Sequence, residues 1–135
     1  MPDFRRVTDR VSVSPQITLA DIDAAARLGF RQVINNRPDG ESPDQPPSTA
    51  FEAAAARAGL AYAHVPVRGG PTPQQAQTMR ELIEGADGPT LAFCRSGTRS
   101  IVSWALGQAM AGAPRAELVA AGAAAGYDLD PVLPG

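Results

Sequence analysis

The 135-residue chain has few of the residues that build disulfides and metal centres. A single cysteine, Cys94, cannot form an internal disulfide, and a single histidine, His64, leaves too few ligands for a zinc site. No apolar run approaches the ~20 residues that cross a bilayer, and residues 1–13 lack the apolar core of a signal peptide. We therefore expect a cytoplasmic protein without a metal or other cofactor, whose cysteine stays a free thiol.

Charge is also scarce. Charged residues make up 19% of the chain, lysine is absent, and the formal net charge is −2, so nothing favours nucleic acid or an anionic membrane as a partner. Hydrophobic residues make up 44%, an ordinary value for a globular protein. The length predicts one domain over residues 1–135.

Short apolar segments alternate with segments of helical pattern. Strands are predicted at residues 4–6, 11–13, 30–34, 60–67 and 90–93. Helices are expected after the caps Thr18 and Thr72, at Ser48 or Thr49 with a capping box to Glu52, after Cys94, and from Pro114. The alternation predicts a single α/β domain with a central, mostly parallel sheet flanked by helices. Its ligand-binding loops, at the carboxyl ends of the strands, are expected at 35–47, 68–71 and 94–99.

The segment LAFCRSGTRSIVSW, residues 91–104, places Cys94 between an apolar strand and an apolar helix. The backbone N–H groups from Arg95 to Arg99 are expected to turn inward around the sulfur, with further donors from the helix N-terminus. Arg99 is suited to bind two oxygens of an oxyanion, and the Ser100 hydroxyl to donate to the sulfur. The pattern predicts Cys94 as a nucleophile in an anion-binding loop. The other candidate anion-binding residues of this loop are Arg95, Ser96, Gly97 and Thr98.

CRSGTRS resembles the active-site loop of rhodanese sulfurtransferases and, more loosely, that of cysteine-dependent tyrosine phosphatases. Together with VSVSPQIT, FRQVINNRPDGE and AGLAYAHVPV, it resembles one bacterial family, a phosphatase-like domain found alone or fused to beta-lactamase-hydrolase-like, persulfide dioxygenase-like proteins. The resemblance covers about residues 4–131. It implies a fold like that of dual-specificity phosphatases, and leaves both phosphatase and sulfurtransferase activity open.

Two features favour sulfur transfer. Four residues separate Cys94 from Arg99, which is the rhodanese spacing, whereas tyrosine-type phosphatases have one more. In VPVRGGPTP, residues 65–73, where such phosphatases carry a general-acid aspartate, this chain has Arg68 and no carboxylate. A phosphate ester needs its leaving oxygen protonated, while a thiolate leaves more easily.

Residues 35–47, NNRPDGESPDQPP, supply further candidates. Asp39 is a possible surrogate acid, although Asp39 and Gly40 also fit a simple turn. Arg37 either contacts an anionic substrate or bridges Asp39 or Glu41, and Arg68 is a further candidate for anion contact. His64, inside a predicted strand, is expected to be structural.

These observations predict a sulfurtransferase that carries sulfane sulfur as a persulfide on Cys94. The donor would be a small anion such as thiosulfate or a persulfide, and the acceptor an external thiol, because the chain has no second cysteine. The fused relatives suggest a persulfide dioxygenase as a partner. The alternative is a phosphatase acting on a phosphoester through a cysteinyl-phosphate. A third possibility is a module that binds an oxyanion or phosphorylated ligand without turnover.

Overall fold

Strands and helices alternate along the chain, as predicted. The computed structural model describes residues 2–134. The strands of this part are β1 (Arg5–Arg6), β2 (Val11–Ser14), β3 (Gln32–Asn35), β4 (Ala61–His64) and β5 (Thr90–Phe93). The helices are α1 (Leu19–Arg27), α2 (Ser48–Ala58), α3 (Pro73–Gly85), α4 (Thr98–Met110) and α5 (Arg115–Ala124), followed by a 3₁₀ turn at Asp130–Val132. None of these helices is long and apolar enough to cross a membrane.

The strands form one sheet in the order β1-β2-β5-β3-β4. Only β1 is antiparallel to its neighbour, so the prediction of a mostly parallel sheet is confirmed. Strand β5 is central and all four of its residues are buried. Phe93, the last residue of β5, is level with Ser14 on one neighbour and Asn35 on the other. The segments that follow these three residues therefore start side by side.

The alternating side chains of the strands build two cores, one on each face of the sheet. Val33, Leu91 and Phe93 pack with α1 and α2. Ile34 and Ala92 point the other way and pack with α3, α4 and α5. Because both faces are covered, the central strands can be apolar throughout. The sheet is thus a rigid base for the loops at its carboxyl edge.

Two of the helix starts form as the sequence predicts. The hydroxyl of Thr18 accepts from the backbone N–H of Asp21, whose carboxylate accepts from the Thr18 N–H. Thr72 and Gln75 make the same reciprocal pair at the start of α3. Both capping boxes satisfy N–H groups that a helix leaves free at its first turn.

The predicted capping box of α2 is wrong. The helix begins at Ser48, with Pro47 in the capping position, so Thr49 already lies within the first turn and cannot cap it. The backbone N–H of Ser48 donates instead to the carboxylate of Asp39, at 2.8 Å. A distant side chain therefore replaces the cap that Pro47 cannot provide.

Strand β4 is shorter than the predicted strand 60–67. Pro66 has no N–H to donate, and regular pairing ends at His64. The chain nevertheless stays along β3, because the N–H groups of Val65 and Val67 donate to the carbonyls of Asn35 and Asn36 at 2.9 Å. This path carries the Val67 carbonyl to the edge of the sheet where the cysteine loop lies.

Candidate active site

The predicted loops meet at the carboxyl edge of the sheet. The N–H of Asn36 donates to the carbonyl of Phe93 at 2.8 Å, which joins segment 35–47 to the end of β5. A fourth segment, after β2, also takes part, which no motif predicted. There the N–H of Gln16 donates to the carbonyl of Arg95 at 3.1 Å, and the Ser14 carbonyl accepts from the Cys94 N–H at 3.4 Å.

Cys94 is fully buried at the base of its loop, directly after β5. The backbone N–H of Gly97 donates to its sulfur, with 3.1 Å between nitrogen and Sγ. Gly97 has φ +89°, a left-handed conformation that side chains with a Cβ rarely adopt. The glycine therefore lets the chain fold back over the sulfur and present an N–H group to it.

Tyr127, on the segment after α5, holds the outer side of this turn. Its hydroxyl donates to the carbonyl of Ser96 at 2.9 Å, and the Arg5 guanidinium lies 5.1 Å from the centre of its ring. Burial raises the pKa of Tyr127, so at neutral pH its hydroxyl is protonated and can donate. Tyr127 is thus a residue of the site that sequence reasoning missed, because its segment lies outside every motif.

The predicted ring of N–H groups is only partly formed. The N–H of Gly97 faces the sulfur, but that of Thr98 donates to the Ser96 hydroxyl at 3.3 Å. Within residues 2–134, four other N–H groups around the loop donate to no protein atom; they belong to Arg95, Ser96, Arg99 and Ser100. The N–H groups that can still donate to an anion therefore include that of Ser100, in the first turn of α4. The N–H of Thr98 is not among them, because it already has a partner.

Arg99 is anchored by Glu41. Its Nη1 and Nη2 donate to the two carboxylate oxygens of Glu41 at 2.7 and 2.8 Å, and Nη1 also donates to the Val67 carbonyl at 2.9 Å. Glu41 first, and then the Cys94 side chain, raise the pKa of Arg99, so the guanidinium also interacts with the thiol. Within residues 2–134 no oxygen accepts from the remaining Nη2 hydrogen or from Nε–H. These two lie on one edge of the planar guanidinium and match two oxygens of an oxyanion.

Glu41 also binds a second arginine. Its Oε1 accepts from Nε of Arg37 at 3.0 Å, and Arg37 Nη1 donates to the side chain of Gln16 at 2.9 Å. The hydrogen bonds from Arg99, and then those from Arg37, lower the pKa of Glu41 from 4.5 to about 2. Arg37 is therefore a bridge to Glu41, one of the two predicted possibilities. Glu41 itself was missed as a site residue, because only the fold brings it to Arg99.

The carboxylates of segment 35–47 are all engaged in other contacts. Asp39 caps α2 through the Ser48 N–H, Glu41 binds the two arginines, and Asp44 accepts from the Ser42 hydroxyl at 2.8 Å. That hydrogen bond lowers the pKa of Asp44. Asp39 and Gly40 form a turn, the other predicted possibility, and Asp39 caps α2, while a role as surrogate acid stays a prediction.

Two further predicted site residues are Arg68 and Ser100. Arg68 is exposed and forms no hydrogen bond or ion pair within the described part of the chain, and its contact with an anion stays a prediction. Ser100 is buried, but its hydroxyl bonds to no protein atom in residues 2–134, so the expected donation to the sulfur is replaced by that of Gly97. His64 is structural as expected, since its Nε2 lies 2.9 Å from the Arg37 carbonyl.

The domain has a cysteine-phosphatase-like fold, since solved phosphatases share this architecture. A Neisseria meningitidis protein provisionally described as a phosphatase superposes with a TM-score of 0.85 at 33% identity, over 97% of this chain and 94% of that one. TpbA of P. aeruginosa, solved in complex with phosphotyrosine, has a TM-score of 0.65 at 14% identity, over 93% of this chain and 75% of its own. The second likeness concerns the fold alone.

The sequence profile of the family described as "Beta-lactamase hydrolase-like protein, phosphatase-like domain" matches residues 3–111, and the chain belongs to this family. It is 42% identical over 125 residues to the beta-lactamase hydrolase-like protein of Xylella fastidiosa (strain Temecula1), covering 91% of this chain. The match spans 29% of that relative's length. The predicted family and fold are confirmed, and these comparisons favour the phosphatase alternative over sulfur transfer.

Proposed function

We propose that the protein is a cysteine-dependent phosphatase that hydrolyses phosphomonoesters through a cysteinyl-phosphate. One observation carries the proposal: the buried Cys94 lies at the base of a loop whose Gly97 N–H faces the sulfur, while other loop N–H groups and the Nε–Nη2 edge of Arg99 have no oxygen acceptor in residues 2–134. This set of donors matches the charge and the several oxygens of a phosphoryl group. The phosphatase fold supports the same chemistry.

In the proposed reaction, the Cys94 thiolate attacks phosphorus and the bond to the leaving oxygen breaks. The loop N–H groups and Arg99 stabilise the charge on the phosphoryl oxygens during transfer. Water then attacks the cysteinyl-phosphate, the S–P bond breaks, and the thiolate is restored.

The proposed phosphatase has no carboxylic acid ready to protonate the leaving group. Segment 65–73 carries none, and those of segment 35–47 are held in other contacts. General-acid help is worth roughly 10²–10⁴-fold, and substrates that need it should react slowly. We therefore expect turnover only of phosphoesters with weakly basic leaving groups.

The test is hydrolysis of p-nitrophenyl phosphate by the wild type and by Cys94→Ser. We expect the wild type to release phosphate and Cys94→Ser to release none. After acid quenching, the wild type should also show a transient mass gain of one phosphoryl group. Absence of phosphate release from every aryl phosphate tried would refute the proposal. A Ser103→Ala protein is a matched control, since within residues 2–134 the Ser103 hydroxyl donates only to the Arg99 carbonyl of its own helix.

Sulfur transfer is a second candidate, favoured by the short spacing between Cys94 and Arg99 and by the missing acid. It would take sulfur from thiosulfate or a persulfide and pass it to an external thiol, with a persulfide dioxygenase as the proposed partner. Incubation with thiosulfate followed by intact-mass measurement separates the two. A gain of one sulfur on Cys94, removed by cyanide, would support this candidate.

A further inference from the structure

A polar cavity of about 350 Å³ lies beside the cysteine loop. It shares a wall with the site, because Arg95 directly follows Cys94 and its carbonyl accepts from the Gln16 N–H. Segment 35–47 forms the opposite wall, and no aromatic residue lines the cavity. Its polar lining consists of Gln16, Arg37, Ser42, Asp44, Gln45 and Arg95.

Two arginines and one aspartate give the cavity lining a net positive charge. Arg95 is exposed and makes no side-chain hydrogen bond or ion pair within residues 2–134. Arg37 is 4% exposed, with Nε and Nη1 engaged, and its Nη2 has no partner in the same range. A guanidinium nitrogen that lines a cavity and has no protein acceptor can donate to an anion there. Asp44 is the opposing charge on the lining, held by Ser42.

The chemistry of the site restricts which group can occupy this cavity. A phosphoryl group would bind at the cysteine loop. If its leaving group points past Arg95, that leaving group lies next to the cavity, because Arg95 is part of the cavity lining. No carboxylic acid is ready to protonate that leaving group. A leaving group that departs without a proton and also carries negative charge satisfies both the loop and the cavity. A second phosphoryl group has both properties, since phosphate is a weak base and an anion.

Resting on the proposed phosphatase activity, we propose that this cavity binds the leaving phosphoryl group of a phosphoanhydride, and that such compounds are preferred substrates. The Cys94 thiolate attacks the terminal phosphorus, and the bond to the bridging oxygen breaks. The leaving phosphate departs with the electron pair between Arg37 and Arg95. Water then cleaves the S–P bond and gives one proton to solvent, so each turnover consumes one water and releases two phosphate-containing products.

Three substrates, assayed in EDTA, separate the contributions. p-Nitrophenyl phosphate has a good leaving group that carries no further anionic group before the bond breaks. Glycerol 2-phosphate has a poor leaving group. Inorganic pyrophosphate has a good leaving group that is itself a phosphate anion. The proposal expects the highest kcat/KM with pyrophosphate and the lowest with glycerol 2-phosphate. Arg95→Gln should lower the ratio of pyrophosphate to p-nitrophenyl phosphate kcat/KM roughly tenfold, the effect of one charge-assisted hydrogen bond. Asp44→Asn should raise it, by about threefold.

The two proposals fail differently. Hydrolysis of p-nitrophenyl phosphate without a preference for pyrophosphate, or an Arg95→Gln effect equal on both substrates, overturns the cavity assignment and leaves the phosphatase intact. Hydrolysis of none of the substrates overturns the proposed function. In that event calorimetric titration of Cys94→Ser with pyrophosphate still decides about the cavity. Pyrophosphate binding that is weakened by Arg95→Gln and strengthened by Asp44→Asn would support the cavity assignment. Binding that neither substitution changes, or no binding at all, would reject it.

Discussion

The Tyr127 hydroxyl donates to the carbonyl of Ser96, and the N–H on the other side of the same peptide bond, that of Gly97, donates to the sulfur of Cys94. Because a peptide unit is planar and its C=O and N–H point in opposite directions, fixing the carbonyl outward fixes the N–H inward. Tyr127 therefore positions the amide that faces the nucleophile, although the family profile ends at residue 111.

Tyr127→Phe should weaken this arrangement. Without the hydroxyl the Ser96–Gly97 peptide is free to rotate, and the thiolate loses part of a stabilising donor. We expect kcat/KM with p-nitrophenyl phosphate to fall about tenfold, the effect of one lost hydrogen bond to the sulfur. An unchanged kcat/KM would show that Tyr127 does not position the Gly97 amide. Tyr62→Phe, at the other tyrosine, is the matched control, because it contacts Ser48 and Asn35 and not the loop.

Glu41→Gln should reduce activity through Arg99. A neutral amide cannot accept from both guanidinium nitrogens, so the free edge of Arg99 loses its fixed direction. A misplacement of this kind costs about a hundredfold in kcat/KM with p-nitrophenyl phosphate. Glu81→Gln, an exposed glutamate on α3, should have no effect. Equal activity of the two variants would show that Glu41 does not orient Arg99.

The same ion pairs make stability depend on acid pH. The pKa of Glu41 is lowered from 4.5 to about 2 by Arg99 and Arg37. Its stabilising effect is therefore complete above about pH 4.5, and is lost as the pH falls through about 2. Urea unfolding of wild type and Glu41→Gln should show a constant difference at neutral pH that shrinks between these values. A difference that persists unchanged to pH 2 would contradict the assignment.

Gly97→Ala tests the turn over the sulfur. A Cβ at this position would overlap the Tyr127 hydroxyl, in addition to the strain of φ +89°. Gly112 has a similar φ of +94° with nothing within 4 Å of its added Cβ, so Gly112→Ala measures the backbone strain alone. We expect a loss of unfolding free energy of about 1 kcal/mol for Gly112→Ala and about 3 kcal/mol for Gly97→Ala. Equal losses would mean that the Tyr127 contact adds nothing.

Asp39 variants separate capping from acid catalysis. Asparagine can still accept from the Ser48 N–H but cannot donate a carboxyl proton, so Asp39→Asn should keep both stability and activity. Asp39→Ala should lose about 1 kcal/mol of unfolding free energy with little change in kcat. If Asp39→Asn lowers kcat by the roughly 10²–10⁴-fold that a general acid contributes, the surrogate-acid interpretation is restored.

Local sequence patterns were sufficient to predict the mostly parallel sheet, the order of the helices and the loop that holds Cys94 and Arg99. Periodicity, capping boxes and the strand–loop–helix spacing act over a few residues, and the chain displays them directly. The α2 cap escaped the same reasoning, because its acceptor, Asp39, lies far from the helix start in sequence.

The remaining contacts of the site join segments that are distant in sequence. The parallel strands bring these segments to one edge of the sheet. Glu41 meets Arg99, and Tyr127 meets Ser96, across 58 and 31 residues of chain. No local pattern records such pairs, since their energy comes from contacts that exist only after the sheet has formed. The sequence by itself predicted a nucleophilic cysteine in an anion-binding loop. The tertiary structure decided which carboxylate binds Arg99, which loop amides have no partner in residues 2–134, and that Tyr127 fixes the Gly97 amide toward the sulfur.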